Sequence, residues 1–187
     1  DQICAFGRRV TRVGFDEDRL EIDEVEVGGA FSIVIVDLRR GKDTRRILAD
    51  LNACYPDAPG PVAEGVREAL GHPNLELLGR ARKALENGDA EQLGRLMTEA
   101  QDRFDRGVAP ASPELSSPRL HEVLDHPVVR DQTFGGKGVG SQGDGCAQLV
   151  AKDDDARERV IECLEAEEGV QCYRLTIESD APEPGSG

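Results

Sequence analysis

Apolar and polar positions alternate at the start of the chain, and the period then changes. Val10–Phe15 reads as a strand and Asp16-Glu17-Asp18 as a turn. Leu20 and Ile22, then Val25 and Val27, alternate with charged residues, the period-two signature of a half-buried hairpin. Gly28-Gly29 ends that pattern. Phe31–Leu38 (FSIVIVDL) follows as an unbroken, β-branched run of the kind that fills a central strand.

Beyond Gly41 the spacing becomes helical. Ile47, Leu48 and Leu51 share a face in Asp43–Cys54, and Val62–Leu70 predicts a shorter helix after Pro56, Pro59 and Pro61. His72-Pro73-Asn74 opens a third helix, with Leu75, Leu78, Ala81 and Leu85 in line and Asn87-Gly88 as its stop. Asp89 is placed to cap a fourth, whose stripe is Leu93, Leu96, Met97, Ala100 and Phe104. Gly107–Pro118 reads as a loop, with Ser116 or Ser117 capping a helix over Leu120–Leu124. The remainder alternates: a strand into a glycine-rich loop, strand Cys146–Val150, helix Asp155–Leu164 and strand Val170–Ile177. The expected fold is α+β, an antiparallel sheet of 31–38, 146–150 and 170–177 with helices on one face. Residues 1–30 form the preceding hairpin, 31–178 the main domain and 179–187 a disorder-prone tail.

Charge narrows the partners. With 37 acidic against 23 basic side chains the formal charge is −14, which argues against nucleic acid, since phosphate tracking needs a concentrated basic face. The longest apolar run, Ile33–Val36, is too short to cross a bilayer, and no secretory signal is visible, so no membrane role and a cytoplasmic address are expected. Five cysteines without a CxxC pair suggest buried free thiols rather than a zinc site or disulfide framework. His72, His121 and His126 share no metal-ligand spacing and read as surface or loop residues.

Gly138-Val139-Gly140-Ser141-Gln142-Gly143 matches GxGxxG, but a dinucleotide site needs a helix to follow it. Here Asp144-Gly145 leads into Cys146-Ala147-Gln148-Leu149-Val150, a strand by composition, and no GK[ST] follows to make a Walker loop. What remains is strand, glycine loop, strand, with Lys137 at its head. On composition alone a wide hairpin turn accounts for it equally well.

The stretch Gly135–Ala147 resembles the third motif of the GHMP kinases, with Gly140, Gly143, Gly145 and Cys146 on the matching places. Leu93–Met97 with Gln101 resembles the helix that precedes that motif, and Val36-Asp37-Leu38 with Lys42–Arg45 the opening of the family's C-terminal domain. Asp1-Gln2 continuing to Phe6-Gly7 is similar to the segment holding the catalytic aspartate in galactokinase-like members. The phrasing is closest to the glucuronokinase-like sugar-1-kinases. Gln142 and Asp144 depart from positions usually glycine, and Val139 from Ser or Thr. An acidic side chain in a phosphate loop repels ATP unless it points away or meets Mg²⁺.

The resemblance implies a C-terminal domain with a ferredoxin-like split βαβ core, in an ATP- and Mg²⁺-dependent kinase of a sugar or sugar acid. It implies Asp1 as catalytic carboxylate, Lys137, Gly138, Gly140, Ser141, Gly143, Asp144 and Gly145 as the nucleotide phosphate loop, and Lys42 and Thr44 as substrate-facing residues. The family's two earlier motifs, including the Gly/Ser-rich loop that holds the triphosphate, are not found within 1–187, so the chain alone is expected to be inactive. A homodimer, or a complex with an N-terminal companion half through residues 8–38, is expected. The alternative from a different class is a non-catalytic α+β module that binds a ligand or a partner.

Overall fold

The structure is a computed structural model, and it describes residues 9–16 and 19–180. Strands β1 (Thr11–Asp16) and β2 (Arg19–Glu24) pair antiparallel, with Val13 opposite Ile22. The main sheet holds β3 (Phe31–Asp37), β4 (Thr133–Gly138), β5 (Cys146–Ala151) and β6 (Gln171–Ile177) in the order β4-β5-β3-β6, every pair antiparallel. The three strands expected from sequence are all present, and the fold class is α+β as expected.

Eight-residue or longer helices join them: α1 (Thr44–Asn52), α2 (Pro61–Leu70), α3 (His72–Glu86), α4 (Ala90–Gly107), α5 (Pro118–Asp125) and, between β5 and β6, α7 (Asp154–Glu168). The short α6 (Pro127–Gln132) leads directly into β4. Their starts follow local chemistry. Asp43, Asp89 and Asp153 each accept a hydrogen bond from a first-turn backbone N–H, satisfying donors that a helix N-terminus leaves orphaned.

Both faces of β3 are apolar, and each finds a partner. Val34 and Val36, with Ala147 and Leu149 of β5, pack against Val160, Ile161 and Leu164 of α7 and against Leu120, Val123 and Val129 of α5 and α6. This is the expected helical layer. Phe31 and Ile33, with Val150, meet Leu77 and Ala84 of α3 and Leu93 and Leu96 of α4, so helical cover extends onto part of the opposite face as well. An alternating strand would have left that second face to solvent; the continuous run in β3 does not.

Three sequence expectations shift in detail. On α3 the buried positions are Leu77 and Ala84, while Leu75 and Leu78 are exposed, because the helix carries more apolar residues than one stripe holds and the sheet selects 77 and 84. The hairpin's apolar face is Val13, Leu20 and Ile22, all exposed, whereas Val25 and Val27 lie past β2 and are buried in the main core. The tail expected to start at Ser179 is held through Asp180, whose N–H donates to the Val27 carbonyl at 2.8 Å and whose carboxylate accepts from the Val27 N–H at 3.0 Å.

Candidate functional site

The glycine-rich loop between β4 and β5 is set by contacts on three sides. Along β4, helix α4 lies close against the strand: a Cβ on Gly94 would stand 2.5 Å from the Phe134 Cβ and 2.6 Å from its carbonyl carbon, and Gly135 has φ +147°. That closeness lets α4 bond the strand's free edge. Gln101, buried, accepts from the Gly138 N–H at 2.8 Å and donates to the Asp105 carboxylate at 2.8 Å. The match of Gln101 to the helix before the loop thus has a physical meaning: it fixes where the loop leaves the sheet.

On the second side Lys42 holds the loop itself. Its ammonium donates to the Gln142 carbonyl at 2.6 Å and lies 3.5 Å from the Val139 carbonyl. Its stem packs over Gly143 and Gly145, where an added Cβ would stand 3.3 and 3.1 Å from the lysine carbons, and Gly143 also has φ +75°. The lysine expected to face substrate is therefore engaged with the loop. Thr44 is exposed on the first turn of α1, whose cap is Asp43.

On the third side is Asp144. Its carboxylate accepts from the Leu120 N–H at 2.9 Å, at the N-terminus of α5, where Ser117 makes no side-chain cap. The carboxylate is thus engaged at the start of α5. Among the described residues, Gly140, Ser141 and Gly143 make no hydrogen bond; Gly143 is buried beneath the Lys42 stem, so the N–H groups open at the tip are those of Gly140 and Ser141. Gly140 has φ +63° and open space around it. No helix starts at Gly143; β5 does, at Cys146, as the dinucleotide objection requires.

Lys137 takes a different direction. Its ammonium donates to the Gly138 carbonyl at 2.6 Å, and burial holds its pKa below the ordinary lysine value. Gly138 has no room for a Cβ, which would meet the Gln142 carboxamide oxygen at 2.1 Å; that oxygen is buried without a partner. Asp1 lies outside the described residues.

Among the described residues one group has the composition of a metal site, where His126, Cys163 and Glu167 bring ligand atoms within 4.8 Å of one another. His126, however, accepts from the Val128 N–H through Nδ1, and its Nε2 lies 3.4 Å from Glu167. Burial, with Glu167 beside it, pushes the Cys163 thiol up. The donor set is occupied with itself. No helix is long and apolar enough to cross a membrane among the described residues.

No protein-family profile and no curated protein sequence matches the chain. Solved structures do. Mevalonate kinase from L. major in complex with R-mevalonate superposes with a TM-score of 0.74 at 19% identity, over 92% of this chain and 50% of that one. Lactococcus lactis galactokinase complexed with galactose gives 0.57 at 16% identity, over 94% and 52%. Streptococcus pneumoniae phosphomevalonate kinase gives 0.62 at 14% identity, over 86% and 45%. The fold is that of the GHMP kinases, and the chain spans about half the length of the structures it matches.

Proposed function

We propose that this chain is the C-terminal part of an ATP-dependent GHMP-type kinase that phosphorylates a hydroxyl group of a sugar or sugar acid. The observation that carries the reading is the loop's division of labour. Lys42 donates to the inner carbonyls and Asp144 is spent on α5, so the tip at Gly140 and Ser141 offers backbone N–H groups. Oriented N–H groups of this kind suit a phosphate, and phosphoryl transfer depends mainly on such positioning and charge stabilisation. These residues fit a buttress for the phosphates of Mg²⁺-ATP, which supplies the phosphoryl group. Asp1, by its resemblance, orients the acceptor hydroxyl and takes its proton.

Residues 1–187 alone lack a second, Gly/Ser-rich loop at a helix start, so they do not turn over in this reading. The exposed Val13, Leu20 and Ile22 of the hairpin give a companion lobe, or a second copy, an edge to pair with. A coupled ADP-release assay over hexoses, pentoses and uronic acids tests the proposal. The expected result is no turnover from 1–187 and Mg²⁺-dependent turnover when the chain is joined to a lobe bearing that loop. Turnover by the chain alone that Asp1→Asn abolishes, or none with the loop supplied, would contradict it.

A further inference from the structure

Between the sheet and the α3–α4 pair lies a cavity of about 530 Å³, in the size range of small-molecule sites. Its position follows from register. Lys137 stands opposite Gln148, Gln148 opposite Ile35 and Ile35 opposite Tyr173, so these four cross one face of the sheet in a row; Ile33 and Leu175 form the next row on that face. The cavity floor is therefore polar beside the glycine loop and apolar further along. The opposite wall, on α3 and α4, is apolar and includes Leu78, Ala81 and Met97.

The charge of this wall is unlike the rest of the molecule. The chain carries 37 acidic residues, yet among the described residues none lines the cavity, and the single ionisable one that does is Lys137. That ammonium has one hydrogen bond, to the Gly138 carbonyl, and no ion pair among the described residues. Beside it Gln142, buried, also lines the cavity. A partly buried cation without a counter-charge costs free energy that a bound anion recovers. One cation with only neutral amides around it balances one negative charge, which favours a carboxylate over a dianionic phosphate.

We propose that this cavity binds a medium-chain carboxylate, its headgroup at Lys137 and its alkyl chain along α3 and α4. Lys137 donates to the carboxylate oxygens, and Gln148, opposite it in the sheet, lies beside the headgroup. Leu78 and Ala81 cover the chain. The proposal does not depend on phosphoryl transfer, and its test uses no nucleotide.

The probe is octanoate, below its micelle-forming concentration, titrated into ¹⁵N-labelled 1–187 and followed by amide shifts, with acetate and octanol as comparators. Octanoate is expected to shift amides of residues 78–81, 97 and 137 saturably. Octanol, lacking the charge, binds tenfold or more weaker, the usual scale of a lost charge-assisted hydrogen bond, and acetate, lacking the chain, binds tenfold or more weaker through the apolar area it leaves unburied. Lys137→Met removes the octanoate preference and leaves octanol unchanged. Leu78→Asp, on an exposed position that does not threaten folding, weakens octanoate through like charge, and Ala81→Trp blocks both. Equal binding of octanoate and octanol, or an octanoate affinity untouched by Lys137→Met, overturns the proposal. So does the absence of cavity shifts with a mass that rises with concentration in light scattering, which would make the cavity a contact between two copies.

Discussion

The Asp144 carboxylate and the Leu120 N–H, 2.9 Å apart, join the glycine loop to the first turn of α5. A residue that reads in sequence as an electrostatic obstacle to phosphate is the helix's cap. Asp144→Ala is expected to destabilise the chain by about 1 kcal/mol, the scale of a lost N-cap, and Asp144→Asn by less, because a carboxamide oxygen still accepts. Urea unfolding of the two variants checks the order. Equal stability of wild type and Asp144→Ala would remove this bond from the account.

Lys42→Met keeps the stem over Gly143 and Gly145 and deletes the ammonium that the Gln142 carbonyl accepts from. The expected cost is about 1 kcal/mol, concentrated in the loop. Hydrogen exchange should show faster exchange for amides in 139–146 and unchanged protection in β3 and α7. Uniform loss of protection would mean that Lys42 supports the domain at large.

Gly94→Ala is expected to be among the costliest single-methyl substitutions. The new Cβ would press on the Phe134 Cβ at 2.5 Å and its carbonyl carbon at 2.6 Å, and strand backbone cannot rotate away. Overpacking of this kind costs about 3 kcal/mol. The contrasting substitution is Gly79→Ala, where nothing lies within 4 Å and helix propensity favours alanine by up to about 1 kcal/mol. Thermal unfolding should move in opposite directions for the two.

Cys172 supplies a pH dependence. Burial, with Glu165 nearby, pushes its thiol up from 9.0 to about 12. The folded state thus holds the proton more tightly than the unfolded one. The corresponding stability is complete below pH 9 and is lost as pH rises from 9 towards 12. In Cys172→Ala the decline of stability across that window should be shallower, as read by urea unfolding at pH 8, 9.5 and 11. An unchanged slope would assign the decline to other groups.

Much of the fold was legible because local signals agreed with the global arrangement. The alternation before Gly28, the unbroken run at Phe31–Leu38 and the cap at Asp89 each depend on neighbours in sequence. The glycine loop was legible as a strand-to-strand connection for the same reason. Its stereochemistry was not. Lys42 reaches Gln142 across 100 positions and Asp144 reaches Leu120 across 24, and neither residue carries a local mark of its partner. On α3 the choice of Leu77 and Ala84 over Leu75 and Leu78 was equally hidden. Two apolar stripes fit the helix, and only the sheet decides between them.

The central claim is that the tip at Gly140 and Ser141 meets phosphate, and amide shifts on adding Mg²⁺-ATP test it most directly. Titration of ¹⁵N-labelled 1–187 should move those two amides in a weak but saturable way, more with ATP than with AMP, and the response should fall in Lys42→Met. Shifts confined to surfaces away from 138–146, or equal responses to ATP and AMP, would contradict it.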